Sequence, residues 1–275
     1  MIFSYFPWGK AVIIALKTRF MNRIFLAFFP VLFVFLSSQA QTIRVLTYNT
    51  HHCEDMNGKL NIEHIASVIN KANADIVALQ ELDSMTNRTH KVDQLKALAE
   101  ATNMNYFFSK SMDYDGGGYG VGILTKLPIL DAFITRLPNV SDREPRTAGT
   151  VELQLGKKKH FLFTSVHLDY VKDSAERIAQ ASKLKEVFYS KELPSIIAGD
   201  FNAPPTETTI KDIMYSVYND SDPTGNTLSH PSDEPKRKID YILISKNHSW
   251  KKQHYEVIAD KIGSDHRPVL SVIKW

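Results

Sequence analysis

Apolar residues recur along this chain in two rhythms. Residues 43–49 (IRVLTYN), 75–80 (DIVALQ), 195–199 (SIIAG), 240–245 (DYILIS) and 268–274 are short, nearly continuous apolar runs. Runs of that length bounded by turn residues read as strands buried on both faces. Shorter strands are predicted near 106–109 and 121–125, and another over 149–155. Lys157 to Lys159 then form the turn of a hairpin whose return strand is 160–168 (HFLFTSVHL). The second rhythm is helical. Ile62, Ile65, Ala66 and Ile69 share one face of a helix over 62–72, with Asn61 as its N-cap. A second helix is expected around 92–102. A third spans 174–190, with Ile178, Ala181, Leu184, Val187 and Phe188 on one side. Hairpins interleaved with helices predict mixed, largely antiparallel sheets covered by helices, not a purely parallel doubly wound sheet.

The first 40 residues follow neither rhythm. Residues 24–36 are apolar throughout apart from Pro30; Lys17, Arg19 and Arg23 precede them and Ser37-Ser38-Gln39-Ala40 follows. A basic segment, a short apolar core and small residues at Ser38 and Ala40 have the order of a secretory signal peptide cleaved after Ala40. Met21-Asn22-Arg23 with that core would be a complete short signal by itself. The run is too short for a permanent membrane anchor, which takes about 20 apolar residues. The expectation is an exported protein, periplasmic or secreted, whose residues 41–275 form a single domain and act as a monomer.

That division changes the meaning of the charge. The whole chain carries 33 Lys and Arg against 30 Asp and Glu, a formal +3 that invites a nucleic-acid partner. Lys10, Lys17, Arg19 and Arg23 all lie in the signal, which has no acidic residue, so residues 41–275 carry a net of −1. A tight, nonspecific grip on duplex nucleic acid needs a basic surface that this balance does not provide. With 12 Gly, 12 Pro and one Cys, the chain is neither collagen-like nor a disulfide scaffold. Cys53 is expected to be a small buried or loop residue.

The candidate chemistry lies where the apolar runs end. Asn49 follows IRVLTY, and Gln80 and Glu81 follow DIVAL. His167 and Asp169 close FLFTSVHL, Asp200 and Asn202 follow SIIAG, and Asp265-His266 precede RPVLSVI; Asp240 opens one more run. Any one of these alone is ordinary turn chemistry. Together, an acid-rich, histidine-containing cluster at one sheet edge is what a hard divalent cation and a phosphoryl group require.

Seven segments, TYNTHH, VALQELD, GYGVGILTK, TSVHLDY, IAGDFNAPP, IDYILIS and GSDHRPV, occur in this order from residue 47 to 269. In that order the chain resembles the endonuclease/exonuclease/phosphatase superfamily, which includes DNase I, abasic-site endonucleases, neutral sphingomyelinases and inositol polyphosphate 5-phosphatases. The resemblance implies a four-layer α/β sandwich of two mixed sheets flanked by helices, with its site at one edge of the sheets. It implies Glu81 as the main Mg²⁺ ligand, assisted by Asn49 and Asp265, with Mn²⁺ as a substitute. Asp200 would orient or deprotonate the attacking water, Asn202 would bond the water or a phosphate oxygen, and His266, held by Asp240, would face the phosphate. His167 would be a second phosphate-facing imidazole; abasic-site endonucleases have a tyrosine there.

Arg146, Asp169 and Tyr119 are candidate substrate-binding residues. His51 and His52 could line the cleft or join a metal site, and Lys236-Arg237-Lys238 form either a solvated turn or a phosphate-facing rim. His230, His248 and His254 are assigned to the surface. The expected function is an exported Mg²⁺-dependent phosphoesterase acting on a phosphodiester or phosphomonoester: a phospholipid head group, an inositol phosphate, a sphingolipid or nucleic acid. The alternatives are a secreted endonuclease on environmental DNA or RNA, and a noncatalytic exported binding protein that keeps the fold.

Overall fold

The parity of the strands organises the molecule. Along β1 (Thr42–Asn49), Ile43 and Val45 face one way while Leu46 and Tyr48 face the other, and both sets are buried. The same alternation runs through β2 (Ile76–Ser84), β7 (Lys159–His167), β8 (Ser195–Asp200) and β10 (Asp240–Ser245). One parity, with Ile43, Val45, Ile76, Ala78, Phe161, Phe163, Ile196, Ala198, Ile242 and Ile244, forms a core between two sheets. The other packs outward on helices. That double burial explains why these strands read as continuous apolar runs.

This computed structural model describes residues 41–275 except 141, 157, 158, 190 and 191, so the predicted signal peptide lies outside the described residues. Between β2 and β7 come β3 (Asn105–Tyr114), β4 (Gly117–Thr125), β5 (Ile129–Arg136) and β6 (Thr147–Leu155); later come β9 (Tyr218–Asp220), β11 (Lys251–Val257) and β12 (Val269–Lys274). One sheet has the order β11-β12-β1-β2-β4-β3 and the other β5-β6-β7-β8-β10-β9. Each is antiparallel except for one central parallel pair, β1 with β2 and β7 with β8.

Helices α1 (Ile62–Lys71) and α2 (Gln94–Thr102) cover the first sheet through Ile65, Ile69, Leu95 and Leu98. Helix α3 (Ala175–Tyr189) and a π-helical turn (Thr209–Met214) cover the second through Ala181, Leu184, Phe188, Ile210 and Met214. Three cores therefore separate four layers. This is the mixed, two-sheet DNase I-like α/β sandwich that the motifs imply. Each fully buried Ile, Leu or Phe in these cores contributes about 1.5–3 kcal/mol. The described residues form one compact unit, and no described helix is long and apolar enough to cross a membrane.

The sequence expectations need four adjustments. Asn61 precedes α1 without a side-chain cap, whereas Asp93 caps α2 by accepting from the Lys96 N–H at 3.2 Å. Strand β3 is longer than 106–109 because its outer half pairs with the glycine-rich start of β4. Strands β5, β9 and β11 were not expected: β5 and β11 are sheet edges with mostly exposed residues, so burial leaves no continuous apolar run. Of the predicted hairpin turn Lys157 to Lys159, residues 157 and 158 lie outside the described residues and Lys159 already belongs to β7, paired with Leu155.

Candidate active site

The inward parity that builds the core between the sheets turns polar at one end. Beyond Val45 come Thr47 and Asn49, beyond Ala78 comes Gln80, beyond Phe163 come Ser165 and His167, and beyond Ala198 comes Asp200. Register then sets these residues side by side. Asp200 pairs with His167 on one flanking strand and with Asp240 on the other. Gly199 allows this close approach, because its φ is +154° and a Cβ there would lie 2.0 Å from the Val166 carbonyl oxygen.

From the opposite sheet, Asn49 reaches across. Its Nδ2 donates to Asp200 Oδ2 at 3.1 Å and to Glu81 Oε1 at 3.0 Å, and its Oδ1 accepts from the His51 N–H at 3.1 Å. Glu81 arrives by a different device. Strict alternation would send it outward onto the helices, but the pairing of β2 with β4 slips between Leu79 and Leu82, and Glu81 takes φ +58°. A left-handed non-glycine residue costs of order 1 kcal/mol.

The electrostatics are asymmetric. His266 Nδ1 donates to Asp240 Oδ2 at 2.9 Å, the same oxygen that takes the Ser229 hydroxyl at 2.5 Å, while His266 Nε2 lies 3.6 Å from Asp200 Oδ2. Burial alone would lower the pKa of His266, but the Asp240 and Asp200 carboxylates outweigh it and raise the imidazole well above its ordinary value. Burial first, and Asp240 second, push Asp200 upward despite the attraction of His266.

His167 is the opposite case. Burial, Arg146 and His266 all lower its pKa, so it is neutral. Arg146 Nη1 donates to His167 Nδ1 at 2.9 Å, and a guanidinium cannot accept, so the imidazole proton sits on Nε2, 3.7 Å from Asp200 Oδ2. Asn202, also left-handed at φ +50°, donates through its backbone N–H to Asp200 Oδ1 at 2.8 Å, and its side-chain Nδ2 donates to the Leu168 carbonyl at 3.1 Å, beside His167 Nε2.

The remaining candidates take different places. Asp265 stands beside His266 with a side chain 35% exposed; burial would raise its pKa, but His230, His266 and His51 hold it well below the ordinary carboxylate range. Arg146 is buried and pairs with Glu144 as well as His167, so it is no rim residue. Asp169 is fully enclosed: Oδ1 accepts from the Val171 N–H at 2.9 Å and from Arg143 Nη1 at 3.5 Å, and the backbone binds Arg177 and Gln180. Tyr119 is buried near Glu81, with Arg88 5.8 Å above its ring. Cys53 is buried and free, its thiol pushed up to about 12 by burial. Within the basic run, Lys238 is buried in ion pairs with Asp220 and Asp222, while Lys236 and Arg237 are exposed.

Sequence reasoning missed His230. It is not a free surface residue: its ring packs on His266 with centroids 4.5 Å apart. The available signal was Pro231 and Pro235 just before the Asp240 strand, a pair of turn residues that folds this loop back on the site.

For a hard divalent ion, Glu81 and Asp265, both half-buried, are suitable oxygen donors. Asn49 presents its amide nitrogen to Glu81 and so holds that carboxylate in place. Two further sets of atoms converge within 4.8 Å: His230, Asp265 and His266, and Asp200, Asp240 and His266. In the second set His266 is already committed through Nδ1–H to Asp240, which makes it a hydrogen-bonded relay.

A family model for the endonuclease/exonuclease/phosphatase family matches residues 46–266. The chain belongs to that family. Its members are hydrolases of phosphoester bonds, generally dependent on a divalent metal. Solved structures agree on the fold. An endonuclease/exonuclease/phosphatase family protein from Bacteroides thetaiotaomicron superposes with a TM-score of 0.71 at 21% identity, over 86% of this chain and 99% of that one. A mannosyl-6-phosphatase from Bacteroides thetaiotaomicron VPI-5482 gives 0.70 at 21%, over 85% and 100%. The human Nocturnin catalytic domain with bound sulfate gives 0.64 at 20%, over 86% and 96%. No curated protein matches the chain.

Proposed function

We propose that this protein is an exported Mg²⁺-dependent phosphoesterase, with Mn²⁺ as a substitute, that cleaves its substrate by in-line attack of water at phosphorus. The observation that carries this reading is the convergence on one carboxylate: Asp200 Oδ2 meets Asn49 Nδ2 at 3.1 Å, His266 Nε2 at 3.6 Å and His167 Nε2 at 3.7 Å. Asp200 has its pKa raised toward neutrality, which suits a base that takes a proton from water. His266, kept cationic by Asp240, supplies fixed positive charge beside an anionic phosphoryl group. Neutral His167 and the Asn202 amide donate to phosphate oxygens, with Arg146 fixing the His167 tautomer. Glu81 and Asp265 would hold the metal ion. Bound there, it would neutralise phosphate charge and polarise the P–O bond.

The signal-like residues 1–40 support export. The net charge of −1 on residues 41–275 favours a small soluble phosphoester over duplex nucleic acid. A structural neighbour named as a mannosyl-6-phosphatase is consistent with that class.

The test is a metal-dependent screen of residues 41–275 against bis-p-nitrophenyl phosphate, plasmid DNA, sphingomyelin and inositol phosphates. Turnover should vanish with chelator and return with Mg²⁺ or Mn²⁺. Asp200→Ala and His266→Ala should each lower it about 10²-fold or more. Chelator-insensitive hydrolysis, or full activity in both variants, would refute the mechanism.

A further inference from the structure

The loop that precedes β10 places a third imidazole at the cleft. His230 and Arg237 form an isolated backbone bridge, with the Arg237 N–H donating to the His230 carbonyl at 2.9 Å and the His230 N–H donating back at 3.2 Å. Arg237 Nη2 donates to His230 Nδ1 at 2.8 Å, and the His230 Nε2 lies 3.7 Å from Asp265 Oδ2. His167 has the same arrangement on another strand: an arginine on Nδ1 at 2.9 Å and a carboxylate 3.7 Å from Nε2. Since a guanidinium only donates, both imidazoles carry their proton on Nε2 and point an N–H at the site. With Arg237 in place, His230 offers a hydrogen and not a lone pair, so it suits an oxygen better than a metal ion.

We propose that His230 is a substrate-binding residue whose Nε2–H donates to an oxygen of the phosphoryl group, and that it makes the site selective for phosphomonoesters. This rests on the hydrolase reading above and narrows it. Nitrogen atoms of His230 and His266 and an oxygen of Asp265 lie within 4.8 Å of one another, so a single phosphoryl group can offer a separate oxygen to each imidazole. A monoester presents three non-bridging oxygens to His167, His230 and His266. A diester presents two, with an ester group in place of the third, and leaves one donor without its acceptor. A site built around such a donor rejects the substrate that cannot satisfy it.

The experiment uses the purified protein with Mg²⁺, p-nitrophenyl phosphate, bis-p-nitrophenyl phosphate and, by calorimetry, inorganic phosphate. His230→Phe keeps a ring on His266 but removes the N–H. The ratio of kcat/KM for monoester over diester should fall at least tenfold, and the Kd for phosphate should rise by about as much. His230→Gln retains an N–H donor and should keep both within about threefold of wild type. Arg237→Met, which frees Nδ1, should lose part of the selectivity, and it tests the idea if the Phe variant fails to fold. Equal losses on both esters, or phosphate binding unchanged in His230→Phe, would overturn the proposal. So would a higher Mg²⁺ requirement with unaltered phosphate affinity, which would assign His230 to the metal. A protein that binds phosphate through His230 yet hydrolyses neither ester would refute the hydrolase reading alone.

Discussion

Two buried charge clusters meet at the start of β10, two residues apart in the chain. On one side, Lys238 is 2% exposed, with Nζ 3.1 Å from Asp222 and 3.3 Å from Asp220 and over the rings of Tyr241 and Tyr255. Its carboxylates are saturated: Asp222 also accepts from the N–H groups of Thr224 and Thr227, and Asp220 from Asp222 N–H and the Tyr215 hydroxyl. On the other side, Asp240 shares one oxygen between Ser229 and His266 and leaves Oδ1 buried without a protein partner, while two carboxylates face one imidazolium. The first cluster has every charge answered and closes the fold. The second is left incomplete where a ligand would finish it, and its Asp200 carboxylate is pushed up toward the range where protons move. Burial alone does not mark a functional site.

The largest test of that contrast is Lys238→Met. It leaves two buried carboxylates unpaired and should cost about 3–5 kcal/mol in urea unfolding. A loss under about 1 kcal/mol would break the comparison. The same cluster makes stability acid-sensitive. Burial would raise the pKa of Asp222, but the hydrogen bond from Thr227, the charge of Lys238 and the Thr224 bonds depress it. A depressed folded value gives stability that is present above the unfolded carboxylate pKa and lost as pH falls below about 4. Melting curves from pH 7 down to 2 should show that loss begin there, and Lys238→Met should reduce it.

Asp200→Asn should behave in the opposite way, abolishing most turnover while leaving unfolding free energy within about 1 kcal/mol of wild type, because the charge it removes is held against burial and Asp240. A large stability loss would mean that Asp200 is part of the scaffold.

Asp240→Asn refines the picture further. Activity in this mechanism needs Asp200 ionised and His266 protonated, and the Asp240 charge raises both pKa values. Both limbs of the bell-shaped kcat/KM profile should therefore move to lower pH, by about one unit or 1.4 kcal/mol. Limbs that stay in place would remove Asp240 from the electrostatics. At the small end, the exposed Lys183–Glu186 pair at 2.9 Å should contribute no more than about 0.5 kcal/mol in a double-mutant cycle.

Much of this was legible in the chain. The ends of six apolar runs point to Asn49, Glu81, His167, Asp200, Asp240 and His266, because a strand buried on both faces must become polar where it leaves the core. Asp169 and Arg146 show the limit: their positions beside the motifs are visible, but only the fold reveals that one ties a loop together and the other fixes an imidazole. His230 shows the opposite error: Pro231 and Pro235 mark a turn there, but the pattern does not announce a ring packed on His266.

The sequence by itself determined the two-sheet sandwich, the family and the edge where chemistry gathers, because these follow from local periodicity and from motif order. Tertiary structure alone decided which donors face which acceptors. The bulge that turns Glu81 inward, the bridge of Asn49 between the sheets and the arginines that set two imidazole tautomers all join residues far apart in the chain. Hydrogen-bond direction depends on angles and tenths of an ångström, and no one-dimensional pattern contains them.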